Sequence, residues 1–177
     1  MGGPVVVVDY DPQWPARFER LRSIWAAALD GAALRIEHVG STSVIGLAAK
    51  PILDVDIVIE HRPVLPRVVD RLASLGYRHQ GDQGVEGRES FKLPDAARAR
   101  MKATPNWAPH NLYVCAQDNL ELRRHLAFRD WLRSHTEDAQ AYATLKRELA
   151  RRYTNDRDAY CEAKTEFVEG ILARALA

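Results

Sequence analysis

The chain has 177 residues, the length of one ordinary domain with little room for a second. Its 25 Lys and Arg against 24 Asp and Glu leave a formal charge of +1, which excludes a basic coat for polynucleotides or membrane surfaces spread over the whole molecule. Cys115 and Cys161 lie far apart with no ligands at metal spacing, so a disulfide framework and a zinc finger are excluded, and both read as buried small residues in a reducing, cytosolic compartment.

In chain order, Val5 to Val8 is a β-branched run that predicts a short strand and is too brief for a signal segment or a membrane span. Trp14, Phe18, Leu21, Trp25 and Leu29 recur at helical spacing and predict a helix closed by Asp30-Gly31. Leu34 to Val39 alternates as a strand, and Gly40-Ser41-Thr42-Ser43 is a small polar turn. Pro51 forbids a helix, and Ile52 to Ile59 is so continuously apolar that it predicts a central strand covered on both faces. Two aspartates inside that run, Asp54 and Asp56, are costly there unless they are paired or bind a cation.

Pro63 to Leu75 predicts a helix ended by Gly76, and Gly81 to Gly87 a turn. Arg88 to Leu93 predicts a strand with Glu89 and Phe91 on one face and Ser90 and Lys92 on the other. Pro94 to Pro109, carrying Arg98, Arg100, Lys102 and Trp107, reads as a long loop suited to a lid over a small anion, before a strand from Leu112 to Cys115. The rest is helical. Leu122, Leu126, Trp131 and Leu132 mark one helix, Ser134 to Glu137 forms a capping-box pattern before a second with Tyr142, Leu145 and Leu149, and a third runs from Asp156 past Ile171. The 11 basic and 10 acidic residues from Glu121 onward read as solvated faces rather than a dock for a polyanion. The expected organisation is one domain over 1–177, with a sheet-containing core over 1–118 and C-terminal helices over 119–177.

At a spacing of two on a strand, Asp54 and Asp56 project from the same face and can share one cation. A hard ion such as Mg²⁺ takes oxygen ligands and keeps waters and substrate phosphates in its shell, so two carboxylates suffice as the protein's share. Ahead of them, Gly40 lets backbone N–H groups approach a phosphate, and the hydroxyls of Ser41, Thr42 and Ser43 can donate to it. Either feature alone is an ordinary turn or an exposed edge strand. In this order they resemble the nucleotidyltransferase signature, Gly-Ser followed by Asp-hydrophobic-Asp.

Longer motifs extend the resemblance over nearly the whole chain. Tyr10 to Pro15 with Phe18, Ile36 to Ser43, Gly46 to Asp54, Leu75-Gly76-Tyr77, His125 to Asp130 and Tyr142 to Lys146 are similar to the GrpB family, also called UPF0157. The resemblance implies a bacterial α/β (α+β) protein with a nucleotidyltransferase-like mixed β-sheet flanked by helices and a C-terminal helical segment; it leaves the reaction undefined. Where the family usually reads His-His-hydrophobic-His-Val, this chain reads His110-Asn111-Leu112-Tyr113-Val114, so one histidine of three remains. Active nucleotidyltransferases also use a third carboxylate on a later strand, for which Glu89 is the candidate.

Lys50 reads as a phosphate contact or a solvated lysine, Arg88 and Lys92 as an anion clamp or strand decoration, and His110 as a base or ligand or neither. His38 reads equally as structural or catalytic. The expected function is metal-dependent nucleotidyl transfer from ATP or another NTP to a small molecule, with Mg²⁺ or Mn²⁺ on Asp54 and Asp56 and a carboxylate acceptor leading on to ligation. A catalytically inactive nucleotide-binding or scaffold module is the alternative, and a hydrolase using His110 a third. A polynucleotide substrate is not expected, because no basic stripe interleaves with aromatics.

Overall fold

The computed structural model describes residues 3–102 and 107–177. The first helix, α1 (Trp14–Leu29), is followed by β1 (Arg35–Val39), β2 (Leu53–Ile59), α2 (Leu65–Ser74), β3 (Arg78–His79), β4 (Arg88–Lys92), α3 (Asp95–Lys102) and β5 (His110–Ala116). Four helices complete the chain: α4 (Leu120–Ser134), α5 (Thr136–Arg152), α6 (Arg157–Glu162) and α7 (Thr165–Ala175). The sheet has the order β1-β2-β5-β4-β3, with β2 and β5 parallel and every other pair antiparallel.

Both faces of this mixed α+β sheet are covered, and the alternation of β2 assigns them. Leu53, Val55, Ile57 and Ile59 point to one face, where they pack with the Trp14, Phe18, Leu21, Trp25 and Leu29 stripe of α1 and with Val68 and Leu72 of α2. Asp54, Asp56 and Val58 point to the other. There Val58 and Cys115 meet Leu122 and Leu126 of α4. Behind α4 a further apolar layer joins Leu132, Tyr142, Ala143 and Phe167 to Val44 and Leu47, which follow the turn after β1. No helix among the described residues is long and apolar enough to cross a membrane.

Five local expectations are corrected. Val5 to Val8 is not a sheet strand: it makes a single bridge, Val8 to Ala49, and a bond from Val5 N–H to the Thr154 carbonyl, so its β-branched residues cover helices instead. The expected loop after Pro94 contains α3, with Asp95 in its first turn and Arg100 and Lys102 in its last, the charge order a helix dipole favours; its remainder at 103–106 lies outside the described residues. No capping box forms before α5, because the Ser134 hydroxyl donates back to the Asp130 carbonyl in α4. The segment after Asp156 is two helices rather than one, and Cys161, on the first of them, is exposed while Cys115 is buried.

Candidate functional site

Residues opposite one another in a ladder share a face. Around Asp54 and Asp56 on the α4 side these are Glu37 of β1, opposite Asp56, and Asn111 and Tyr113 of β5, opposite Asp54 and Asp56 respectively. Asn111 Nδ2 donates to Asp54 Oδ1 at 2.7 Å. The other oxygen, Oδ2, lies against Gly40, whose φ of +67° and missing Cβ allow the carboxylate to approach the turn. Burial raises the Asp54 carboxyl above its ordinary range, opposed by the Asn111 hydrogen bond and the charges of His125 and Lys50.

Asp56 is 0% exposed. Its Oδ2 accepts from His125 Nδ1 of α4 at 2.7 Å, and His125 Nε2 lies 3.3 Å from Glu121 Oε1. Burial alone would lower His125, but its hydrogen bonds to the two carboxylates outweigh it and push the imidazole up to about 9. Asp56 Oδ1 has no hydrogen-bond partner among the described residues. An orphaned, buried carboxylate oxygen beside a second carboxylate fits a hard cation. No group of three His, Cys, Asp or Glu converges on such a site among the described residues, so the remaining ligands would be phosphate oxygens and water.

Above this floor lies a cavity of about 240 Å³, walled by Gly40, Ser41, Asp54 and residues of α4, α5 and α6, with Lys164 from the junction before α7. Four cations line it, Lys50, Lys146, Arg157 and Lys164, against Asp54 as the one carboxylate of the lining. Lys146 reaches across from α5 and is 2% exposed. Its Nζ donates to Ser41 Oγ at 2.9 Å and to the Ala48 carbonyl, and sits 4.5 Å from the centre of the Tyr142 ring. Burial, with the charges of Lys164 and Arg147, lowers its ammonium to about 7. Burial lowers Lys164 as well. The Tyr160 ring is shared by two ammonium groups, Lys50 at 5.4 Å and Lys164 at 4.6 Å from its centre.

The structure thus brings together Gly40, Ser41, Thr42, Lys50 and Asp54, with Asp56 behind them. The Thr42 hydroxyl is engaged by His38 Nε2 at 2.9 Å, and the Ser43 hydroxyl donates to the Gly40 carbonyl at 2.6 Å, so these two shape the turn. His38 stacks on Phe18 on the α1 side, and burial with Arg133 and Arg129 nearby pushes it down to about 4, a neutral structural histidine.

Other candidates sit elsewhere. Glu89 pairs in register with Val114, which lies beside Ile57, so it points to the opposite face of the sheet from Asp54 and Asp56; its oxygens meet Arg62 at 3.0 Å and His79 at 2.7 Å. His110 also belongs to the α1 face, in register with Leu53. Trp25 Nε1 donates to Tyr77 Oη, which bonds His110 Nε2 at 2.7 Å, while His110 Nδ1 donates to the Ala108 carbonyl. Both ring nitrogens are therefore used. Arg88 is on the Asp face, but its guanidinium lies over the Tyr113 ring at 4.6 Å and near Glu121, outside the cavity. Lys92 faces a neighbouring cavity instead.

Lys146, Arg157, Lys164 and His125 are site residues that the balanced charge of the helices concealed. A signal existed for one: Lys146 is four residues after Tyr142 and three before Leu149, a lysine on an apolar helical stripe.

The sequence matches the family of the GrpB protein over residues 4–174. It is 39% identical over 175 residues to a UPF0157 protein of Pseudomonas aeruginosa, spanning 98% of this chain and 68% of that one. The crystal structure of the conserved protein GrpB from Enterococcus faecalis superposes with a TM-score of 0.81 at 32% identity, covering 97% of each chain. A crystal structure of the Cid1 poly(U) polymerase superposes with a TM-score of 0.56 at 13% identity, over 89% of this chain and 50% of that one, a likeness of fold alone and of nucleotidyltransferase type. With a family match spanning nearly every residue and solved and curated relatives above 30% identity, the chain belongs to the GrpB family.

Proposed function

We propose that the chain binds the polyphosphate of ATP or another NTP in the basic cavity and transfers its nucleotidyl group to a small molecule. The observation that carries this reading is the meeting, at one cavity, of the Gly40-Ser41 turn, Asp54 with Asp56 two residues behind it on the same strand face, and four basic side chains. Ser41, which accepts from Lys146, keeps its own proton to donate to a phosphate oxygen. Lys50, Arg157 and Lys164 offset the charge that develops as pyrophosphate leaves. Mg²⁺ or Mn²⁺ held by Asp54 and Asp56 would supply charge neutralisation at the reacting phosphate. With a carboxylate as acceptor the product would be an acyl-nucleotide, the activated form from which amide ligation proceeds.

Isothermal titration with ATP and Mg²⁺ tests it. Wild type is expected to bind, and Asp54→Asn to bind at least about tenfold more weakly; no binding by wild type, or equal binding by the variant, would sink the proposal. A second reading, a nucleotide-binding or scaffold module without catalysis, is favoured by one observation: Asn111 and Tyr113 stand beside the aspartates on β5, and the neighbouring acid on β1, Glu37, is paired with Arg129, so no ligand group of three forms among the described residues. Binding without pyrophosphate release across a panel of small carboxylates and alcohols would select it. His110, half-buried with both nitrogens engaged, lends no support to a hydrolase.

A further inference from the structure

A second cavity, of about 470 Å³, opens at the end of the sheet where β4 and β5 part beyond the Phe91–Leu112 pair. It shares Ile52, Asn111 and Arg157 with the phosphate cavity, so the two meet beside Asp54, which Asn111 holds at 2.7 Å. Its character is different. Flat aromatic walls, Trp107 and Tyr113 among them, stand with three cations, Lys92, Arg98 and Arg157, and among the described residues no Asp or Glu lines it. Arg98 is partly neutralised by Asp95 one turn earlier, but Lys92 and Arg157 have no ion-pair partner among the described residues. The Trp107 indole N–H is buried and without an acceptor among the described residues, a donor left for a ligand.

We propose that this second cavity seats the acceptor, and that the acceptor is an organic anion with a flat apolar body: an aromatic or heteroaromatic carboxylate. This rests on the nucleotidyl-transfer reading above for the acceptor's role, while the anion pocket itself rests on its own lining. A nucleobase is neutral and would leave Lys92 without a partner. A hydroxyl acceptor would need a base to take its proton, and the one imidazole of the lining, His110, has its accepting nitrogen occupied by Tyr77. A carboxylate needs none. One of its oxygens forms the new bond to the α-phosphorus, the bond from that phosphorus to the bridging oxygen of the β-phosphate breaks, and pyrophosphate leaves with the electron pair; no proton moves.

The test titrates benzoate and benzamide, of equal shape and different charge, into wild type and Lys92→Glu with and without ATP and Mg²⁺. Benzoate is expected to bind at least about tenfold more tightly than benzamide and together with ATP, and Lys92→Glu to abolish that preference while ATP affinity stays within about twofold. Benzoate no tighter than benzamide, with ATP still bound, overturns this inference alone. Displacement of benzoate by ATP, or equal weakening of both by Lys92→Glu, overturns it by assigning the cavity to the nucleobase. Lys92-dependent benzoate binding in a protein that never binds ATP leaves the anion pocket standing and overturns the nucleotide reading and the acceptor role with it.

Discussion

At Gly40 the backbone turns from β1 into the loop that walls the basic cavity with φ +67°, and a Cβ there would overlap Asp54 Oδ2. Two costs coincide, backbone strain and displacement of a half-buried carboxylate. Gly40→Ala is therefore expected to lose about 1–3 kcal/mol of stability and about tenfold or more in ATP affinity, read by urea unfolding and calorimetry on one preparation. Gly46, at φ +81° with nothing within 4 Å of an added Cβ, separates the two: Gly46→Ala should lose stability and keep its ATP affinity. Gly40, Ser41 and Asp54 were legible in the sequence because a turn glycine and an acid inside an apolar run are locally anomalous. Lys146 was harder to see, since its surroundings come from Ala48 and Ser41, about a hundred residues away in the chain.

At the level of elements, the strands and the α1 stripe follow from periodicity, which is a property of each segment alone. The face that a strand residue shares with another strand follows from register, which is not. Glu89 sits on β4 with Phe91 as its alternation predicts, yet pairing with Val114 turns it away from the aspartates. The same parity gives the departures on β5 their meaning: Asn111 and Tyr113 face Asp54 and Asp56, while the retained His110 faces Trp25. Restoring imidazoles at both positions would place two nitrogen ligands beside two carboxylates. The double variant Asn111→His, Tyr113→His is expected to bind Mn²⁺ or Zn²⁺ at least about tenfold more tightly than wild type, by competition against a metal-sensitive dye. An unchanged affinity would mean that the aspartates do not face those positions closely enough to share an ion.

Over the whole molecule, a formal charge of +1 is the sum of separated regions: a cavity with four cations and one acid, and helix surfaces where Arg and Glu pair off, as Arg124 does with Glu169 and Glu121. Lys146 makes that separation a matter of stability. The unfolded chain keeps this proton up to the ordinary 10.5, whereas the folded chain releases it near 7. The unfolded state holds more protons in that window, so stability rises with pH across it and is flat below. Urea midpoints followed upward from about pH 7 should climb more steeply for wild type than for Lys146→Met, by at most about 1.4 kcal/mol per pH unit. Parallel profiles would show that the lysine is hydrated rather than enclosed.

The two cysteines acquire a use from their placement. Cys115 is closed into the sheet under α4, and Cys161 stands exposed on α6 in the lining of the basic cavity. The molecule thus offers thiol reagents one accessible target, at the mouth of its own cavity. A fluorophore can be attached there to the native sequence as an optical reporter of what enters.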